Sequence, residues 1–491
     1  MRADAIELWL DRSSPLPITL SVDMVTCFDY MVEWDEDEIT PLDTYEDLFL
    51  LFANYGIAER WEDVRFILAP IVAHGLEKLM EENKILYEAE KLRTLSVELK
   101  PIVKPKANWL SRTESSGPFA FEVPFGSFIA QCSSLQNLTF VGWTRPGELK
   151  KHGIAWGNLT HLELTQHERT ELSDPFLPLH IILVLREASS TLQSFTLKCC
   201  SLSDVDGGGG GGDDGGGGEE DNEEDNEEDE DEDEDDFDPD CDFITLPQLR
   251  TLHVHLKAWT AYEKFRIIFD HITAPSLLDL SIRFRSRNSD LNNTPEPCSL
   301  ACFLSRSECR LRRLDVRLNI PGPQAELSDR HITQCLRIQP GLIDLQVTSP
   351  VWFDYSGQTQ TLVNRLTLGS PESLCSDLET IRFTRCFDYD EAYLNVLVAL
   401  ARSRSSLPLQ NTDDGRRAPS VPLKTFHARF PWEALGPPGF SWDKDHHSLF
   451  DEIRKAGIDF QLTFPDEPQP ADPPEIQEYS VEEEDEFELW L

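Results

Sequence analysis

An α/β architecture, with parallel strands alternating with helices and stacked coil upon coil, is what this sequence predicts, and three observations lead there. A short apolar pattern, Leu-x-x-Leu-x-Leu or a near variant, returns ten times between Leu92 and Ala428. Helix-like periodicity fills several of the intervals between copies. Polar side chains hold the places between the apolar ones, as at Thr251 and His253, Arg313 and Asp315, and Thr380 and Arg382. One strand plus one helix every ~25–35 residues marks a leucine-rich-repeat solenoid. Here it is an irregular one, with parallel strands on the concave face and helices or loops on the convex face. A single strand–helix unit cannot bury its own apolar side, so each coil stacks on its neighbours and their leucines merge into one core. A doubly wound α/β sheet would also alternate strands with helices. Its strands, buried on both faces, would read as near-continuous apolar runs instead.

Taken in order, the copies begin at Leu92 (LRTLSV), Leu135 (LQNLTF), Leu159 (LTHLEL), Leu192 (LQSFTL) and Leu249 (LRTLHV). They continue at Leu277 (LLDLSI), Leu311 (LRRLDV), Leu342 (LIDLQV), Leu378 (LETIRF) and Leu423 (LKTFHA). Each alternates apolar with polar residues, the two-residue period of a half-buried strand. An earlier WEDVRF at Trp61, 31 residues ahead of Leu92, reads as a degenerate copy. Helices are expected at LHIILVLREASS before Leu192, DRHITQCLRIQ before Leu342, DEAYLNVLVALARS after Leu378, and after His446–His447. The intervals range from 24 to 57 residues, and the Asn or Cys that often closes such repeats stands only at Cys200, Asn319 and Cys386. The loops are therefore uneven.

The longest interval holds a run of a different kind. Asp204 to Asp242 contains 23 acids, ten glycines and neither Lys nor Arg. Self-repulsion and the lack of apolar residues predict disorder there. No Gly-Lys-Ser/Thr follows the glycines, so a phosphate loop is not expected. Residues 466–491 add 11 acids without a cation and predict a disordered, frayed tail. The expected organisation is a solenoid in two parts, 1–203 and 243–465, with an insertion at 204–242 and the tail at 466–491.

The formal charge of −45 is concentrated in those two runs, which leaves −11 for the remainder. A mildly acidic body does not suit nucleic-acid backbones, which call for a basic surface. Eleven cysteines, several in apolar settings (Cys132, Cys302, Cys335), suit reduced thiols acting as small hydrophobes. The opening MRADAIELWLDRSS lacks the pattern of a secretory leader. No run of 18 apolar residues occurs. The expected setting is intracellular, cytoplasmic or nuclear, with no membrane partner and a monomeric chain. Gly-x-Ser-x-Gly, His-Glu-x-x-His and Cys-x-x-Cys motifs do not occur. The expectation is accordingly no enzyme, no metal and no cofactor.

Beyond the repeat, ELWLDRSSPLPITLSV (Glu7–Val22), the Trp61 strand, LPQLRTLHV at Leu246, ITAPSLLDLSI at Ile272, FLSRSECRLRRLDV at Phe303 and LFDEIRKAGIDFQLTF at Leu449 resemble the F-box/leucine-rich-repeat-like proteins of fungi. The resemblance implies a substrate-recognition part of an SCF-type ubiquitin-ligase receptor, with repeats that select a protein substrate. ELWLDRSSPLPITLSV resembles the stretch that follows the F-box in that family, and the Leu-Pro-x-Glu-type opening itself is not among these residues. Adaptor docking is thus expected only if an F-box lies upstream.

Polar strand places should line the concave face. The partner-binding candidates are Thr251, His253, His255, Arg283, Arg313, Asp315, Arg317, Arg382, His427 and Arg429. A comb of side chains at strand spacing suits a large protein surface, and Arg is enriched at interface hot spots. Taken singly, each is more simply a solvated strand residue; the face as a whole is the candidate. An alternative is an acidic scaffold or chaperone-like binder of basic proteins, working through the acidic runs. Opposite charge within one chain also suggests that the insertion screens the Arg-bearing face. Deleting Asp204–Asp242 should then tighten partner binding at low salt and less so at high salt, where screening is already complete. A titration that gives the same affinity with and without the run would end that idea.

Overall fold

The computed structural model describes residues 8, 12–13, 16–23, 57–68, 73, 89–100, 126–142, 154–166, 178–199, 243–256, 266–285, 298–319, 325–348, 359–369, 373–384, 391–405, 421–429 and 444–463. The expected insertion 204–242 and tail 466–491 lie outside them. Thirteen strands form one wholly parallel sheet. The first six are β1 (Ile18–Asp23), β2 (Trp61–Leu68), β3 (Thr94–Leu99), β4 (Asn137–Val141), β5 (His161–Gln166) and β6 (Ser194–Cys199). Then come β8 (Thr251–Leu256), β10 (Asp279–Arg285), β11 (Arg313–Asn319), β12 (Asp344–Thr348), β13 (Thr380–Thr384), β14 (Thr425–Arg429) and β15 (Asp459–Thr463). Two short strands, β7 (Ile244–Thr245) and β9 (Ile272–Thr273), pair separately just ahead of β8 and β10. Strand order in the large sheet is chain order throughout. The reversal that defines the switch point of a doubly wound sheet does not occur in it.

Each of the ten repeats becomes a strand that starts two residues after its first leucine, from Leu92 and Thr94 to Leu423 and Thr425. That leucine sits in the bend before the strand and is buried in every copy. The next two apolar places face the same side, so register aligns them across the sheet. One such row runs Leu95, Leu138, Leu162, Phe195, Leu252, Leu280, Leu314, Leu345, Ile381 and Phe426. All belong to a single hydrophobic cluster. The backbone repeats as faithfully. From the Leu135 copy to the Leu423 copy, two successive N–H groups donate to one carbonyl of the coil before, as Arg312 and Arg313 do to Leu278 at 2.8 and 3.0 Å. Ile343 and Asp344 then donate to Arg312, and Glu379 and Thr380 to Ile343.

Helices α1 (Gly126–Gln131), α2 (Pro178–Glu187), α3 (Cys298–Ser307), α4 (Ala325–Ile338), α5 (Thr359–Leu366), α6 (Glu391–Ser403) and α7 (Lys444–Lys455) lie in the connections. From α3 to α7 each packs on the next, and their buried residues, such as Leu304, Leu336, Leu362, Leu397 and Ile453, join the core of the strands. The expected helices fall at α2, α4, α6 and α7. The last begins earlier than expected, so His446 and His447 lie in its first turn rather than ahead of it. None of the helices among the described residues is long and apolar enough to cross a membrane. Cys132 and Cys335 are buried free thiols, and burial pushes both up to about 12. Cys302 departs from its expected apolar setting: it lies at an exposed position of α3.

One buried cation holds two coils together. Arg404, just past α6 and 1% exposed, donates from Nε to the carbonyl of Leu366 at 2.7 Å. Its Nη1 and Nη2 reach the carbonyls of Cys375 and Leu374 at 2.8 Å each. The Leu366 carbonyl closes α5, where helix ends leave acceptors unpaired and favour a cation. Burial lowers this guanidinium to about 10, so it stays charged at neutral pH. Arg404→Met would strand the Leu366 and Leu374 carbonyls, while that of Cys375 keeps the Leu378 N–H; each buried, unsatisfied acceptor costs ~1–3 kcal/mol. The variant should lose at least about 2 kcal/mol in urea denaturation; a loss under about 1 kcal/mol would contradict this role.

Candidate protein-binding face

The other side of each strand carries the polar places, and register sorts them into three rows at the ~4.8 Å strand spacing. The first row from β8 onward is Thr251, Asp279, Arg313, Asp344, Thr380 and Thr425. The second is His253, Ser281, Asp315, Gln346, Arg382 and His427. The third is His255, Arg283, Arg317, Thr348, Thr384 and Arg429. All ten candidates therefore share one face, on five of six neighbouring strands, with none on β12.

Carboxylates alternate with an imidazole and guanidinia across the first two rows. Asp279 lies 3.8 Å from His253 and 3.7 Å from Arg313, and Asp344 lies 3.9 Å from Arg313 and 3.4 Å from Arg382. Burial raises the Asp344 carboxyl above its ordinary value, opposed by the Arg382 and Arg313 guanidinia. At the far edge His427 Nε2 meets Asp459 Oδ2 at 2.9 Å. The Asp459 carboxyl is held below its ordinary value by hydrogen bonds from Gln461 and His427.

Asp315 departs from the expected exposed polar place. Its side chain is 1% exposed. It takes Arg317 Nε at 3.1 Å, Ser281 Oγ at 3.3 Å and Arg283 Nη2 at 3.5 Å. It is a buried counter-charge that positions two arginines rather than a group offered to a partner. A buried carboxylate is tolerated only when paired and hydrogen-bonded in this way.

His255 is likewise half-covered, its ring stacked on His253 with centroids 6.3 Å apart. Its Nε2 is buried without a hydrogen bond. Burial, then the charges of Arg283, Lys198, His253 and Arg317, lowers it to about 3. It therefore sits in the face as a neutral aromatic spacer. Sequence reasoning began the face at Thr251 and missed Lys198 on β6, which lies opposite His255 and pairs with Glu163 at 2.7 Å. The signal was present, since Lys198 follows Leu192 at the same offset as His255 follows Leu249.

Rows of paired cations, carboxylates and imidazoles on a rigid sheet can recognise a surface through charge and hydrogen bonding. No protein-family model matches the chain, and its comparison with curated proteins gives no match.

The unfolded chain protonates a histidine near pH 6.5, whereas folded His255 stays neutral to about 3. Between those values the unfolded state binds the extra proton, so this group withdraws stability as pH falls from about 6.5 towards 3. His255→Phe should flatten the dependence of unfolding free energy on pH across that window, and the wild-type imidazole should show no NMR titration above about pH 4. A His255 that titrates near 6 would contradict the assigned environment.

Proposed function

We propose that the chain is a leucine-rich-repeat solenoid whose polar sheet face binds another protein. On this reading it is the substrate-recognition part of an F-box-type ubiquitin-ligase receptor, with no chemistry of its own. The observation that carries the binding reading is the register that puts all ten candidates on one face of a sheet built in chain order. The same topology supports the solenoid, because each unit adds one strand beside the last, as stacked repeats do. A backbone fixed on a packed core keeps such side chains pre-organised, which lowers the ordering entropy of association.

The ubiquitin-ligase part rests on the resemblance of Glu7–Val22 and the later phrases to fungal F-box/leucine-rich-repeat-like proteins. Recruitment of the ligase adaptor requires an F-box upstream of Glu7. Free buried thiols suit a reducing interior, cytoplasmic or nuclear.

Affinity capture from cells with the full chain and with an Arg283/Arg313/Arg317/Arg382→Ala variant tests the proposal. The expected result is a discrete protein partner lost from the folded quadruple variant, joined by the ligase adaptor and cullin only where an F-box precedes Glu7. Undiminished capture by that variant would overturn the binding face. Capture of basic, histone-like proteins that disappears only on removal of Asp204–Asp242 would favour an acidic scaffold instead.

A further inference from the structure

The third row differs in charge from the other two. From β5 to β14 it runs Thr165, Lys198, His255, Arg283, Arg317, Thr348, Thr384 and Arg429, without a carboxylate. Three cations stand on four adjacent strands, an arrangement that is destabilising when like charges face each other directly. Arg283 and Arg317 are such a facing pair and share the single carboxylate of Asp315.

Their compensation is incomplete. Arg317 reaches Asp315 through Nε only, and Arg283 through one Nη at 3.5 Å. Burial and the neighbouring Arg317 lower the Arg283 guanidinium below its ordinary value. Thr165 Oγ1, His255 Nε2 and Arg283 Nε are buried polar atoms of this row that make no hydrogen bond in the protein. The cationic side chains nevertheless stay open to solvent, at 32% for Lys198, 26% for Arg283 and 24% for Arg317.

We propose that the row Lys198–His255–Arg283–Arg317 is the docking point for an acidic polypeptide segment of the protein partner, whose carboxylates lie against the two guanidinia and the ammonium. The proposal rests on the protein-binding reading and names the chemistry of the partner. A guanidinium takes a carboxylate through parallel N–H donors, stronger than neutral hydrogen bonds. The row is one side chain wide; Glu163 and Asp315 occupy the adjoining row, and Asp279 and Asp344 the row beyond it. That flank repels a broad polyanion such as a nucleic-acid duplex but leaves room for a single extended chain. Lys198 to Arg317 spans three strand gaps, roughly 14 Å, which four or five extended residues cover.

The test is fluorescence anisotropy with a labelled ten-residue peptide alternating Glu and Gly, and its Gln counterpart. Because Asp204–Asp242 carries the same chemistry in cis, the full chain and a variant lacking that run are both titrated. The acidic peptide should bind and the Gln peptide should not. Lys198→Gln and Arg317→Gln should each weaken binding about tenfold, while Arg402→Gln on α6 should leave it unchanged. Arg317→Gln disturbs the Asp315 contacts, whereas Lys198→Gln removes only a half-exposed pair, so the two together separate binding from folding. Binding to neither version of the chain, equal binding of the Gln peptide, or an equal loss from Arg402→Gln would overturn the proposal. So would displacement by inorganic phosphate at concentrations where acetate has no effect. If the peptide fails while the full chain still captures a protein through the Arg-bearing face, only the acidic assignment falls. If capture is indifferent to that face as well, the binding reading falls with it.

Discussion

Everything in this fold follows from the inability of one strand–connection unit to hide its own apolar side. Leu252 and Val254 have no partner within their own coil that could cover them. They are covered because Leu280 and Ile282 stand beside them on one side, and Phe195 and Leu197 on the other. Burying a side chain of this size is worth ~1.5–3 kcal/mol, and that gain exists only when neighbours are present. The paired N–H donations that run from the Leu135 copy to the Leu423 copy tie the bends together at the same interval. Core and backbone thus enforce one register. Because successive strand residues point to opposite faces, a register that fills the core also fixes every row on the polar side.

The polar face is therefore a by-product of packing in its geometry and independent of packing in its chemistry. Any residue type compatible with a half-exposed strand could occupy it. The residues present are unusually charged from β8 to β14, and they divide into two behaviours. Partly exposed pairs such as Arg313 with Asp344 are worth little to stability, ~0–1 kcal/mol each, and serve to orient one another. Asp315 is different: buried and shared by two arginines, it is retained at a desolvation cost and has the consequence of aiming Arg283 and Arg317 along one row.

Most of the sheet was legible because the apolar spacing is itself the physical cause of the strand. The parts that escaped did so where another residue replaced the first leucine of the pattern. In β15 the equivalent place is Gly457, with φ +86°, where the chain leaves α7. In β1 it is Pro17, and a register shift between Ile18 and Thr19 breaks the match with β2 further. The short pair β7 and β9, two residues each, is too brief for any periodicity to declare. On the face, the candidate positions were legible from alternation alone. The burial of Asp315, the neutrality of His255 and the pairing of Lys198 with Glu163 were not. Each depends on which side chain stands on the next strand, and a single strand's sequence carries no record of that. Arg404 was equally hidden, since its three acceptors come from residues about 30 to 40 positions away in the chain.

The central claim, that the polar side of the sheet and not the helical side meets another protein, is tested most directly by site-specific photo-crosslinking. A photoreactive phenylalanine at Gln346, in the middle of the face on β12, is compared with one at Arg402, exposed on α6. The account predicts cross-links to a captured protein from position 346 and none from 402. Cross-links from 402 alone would contradict it.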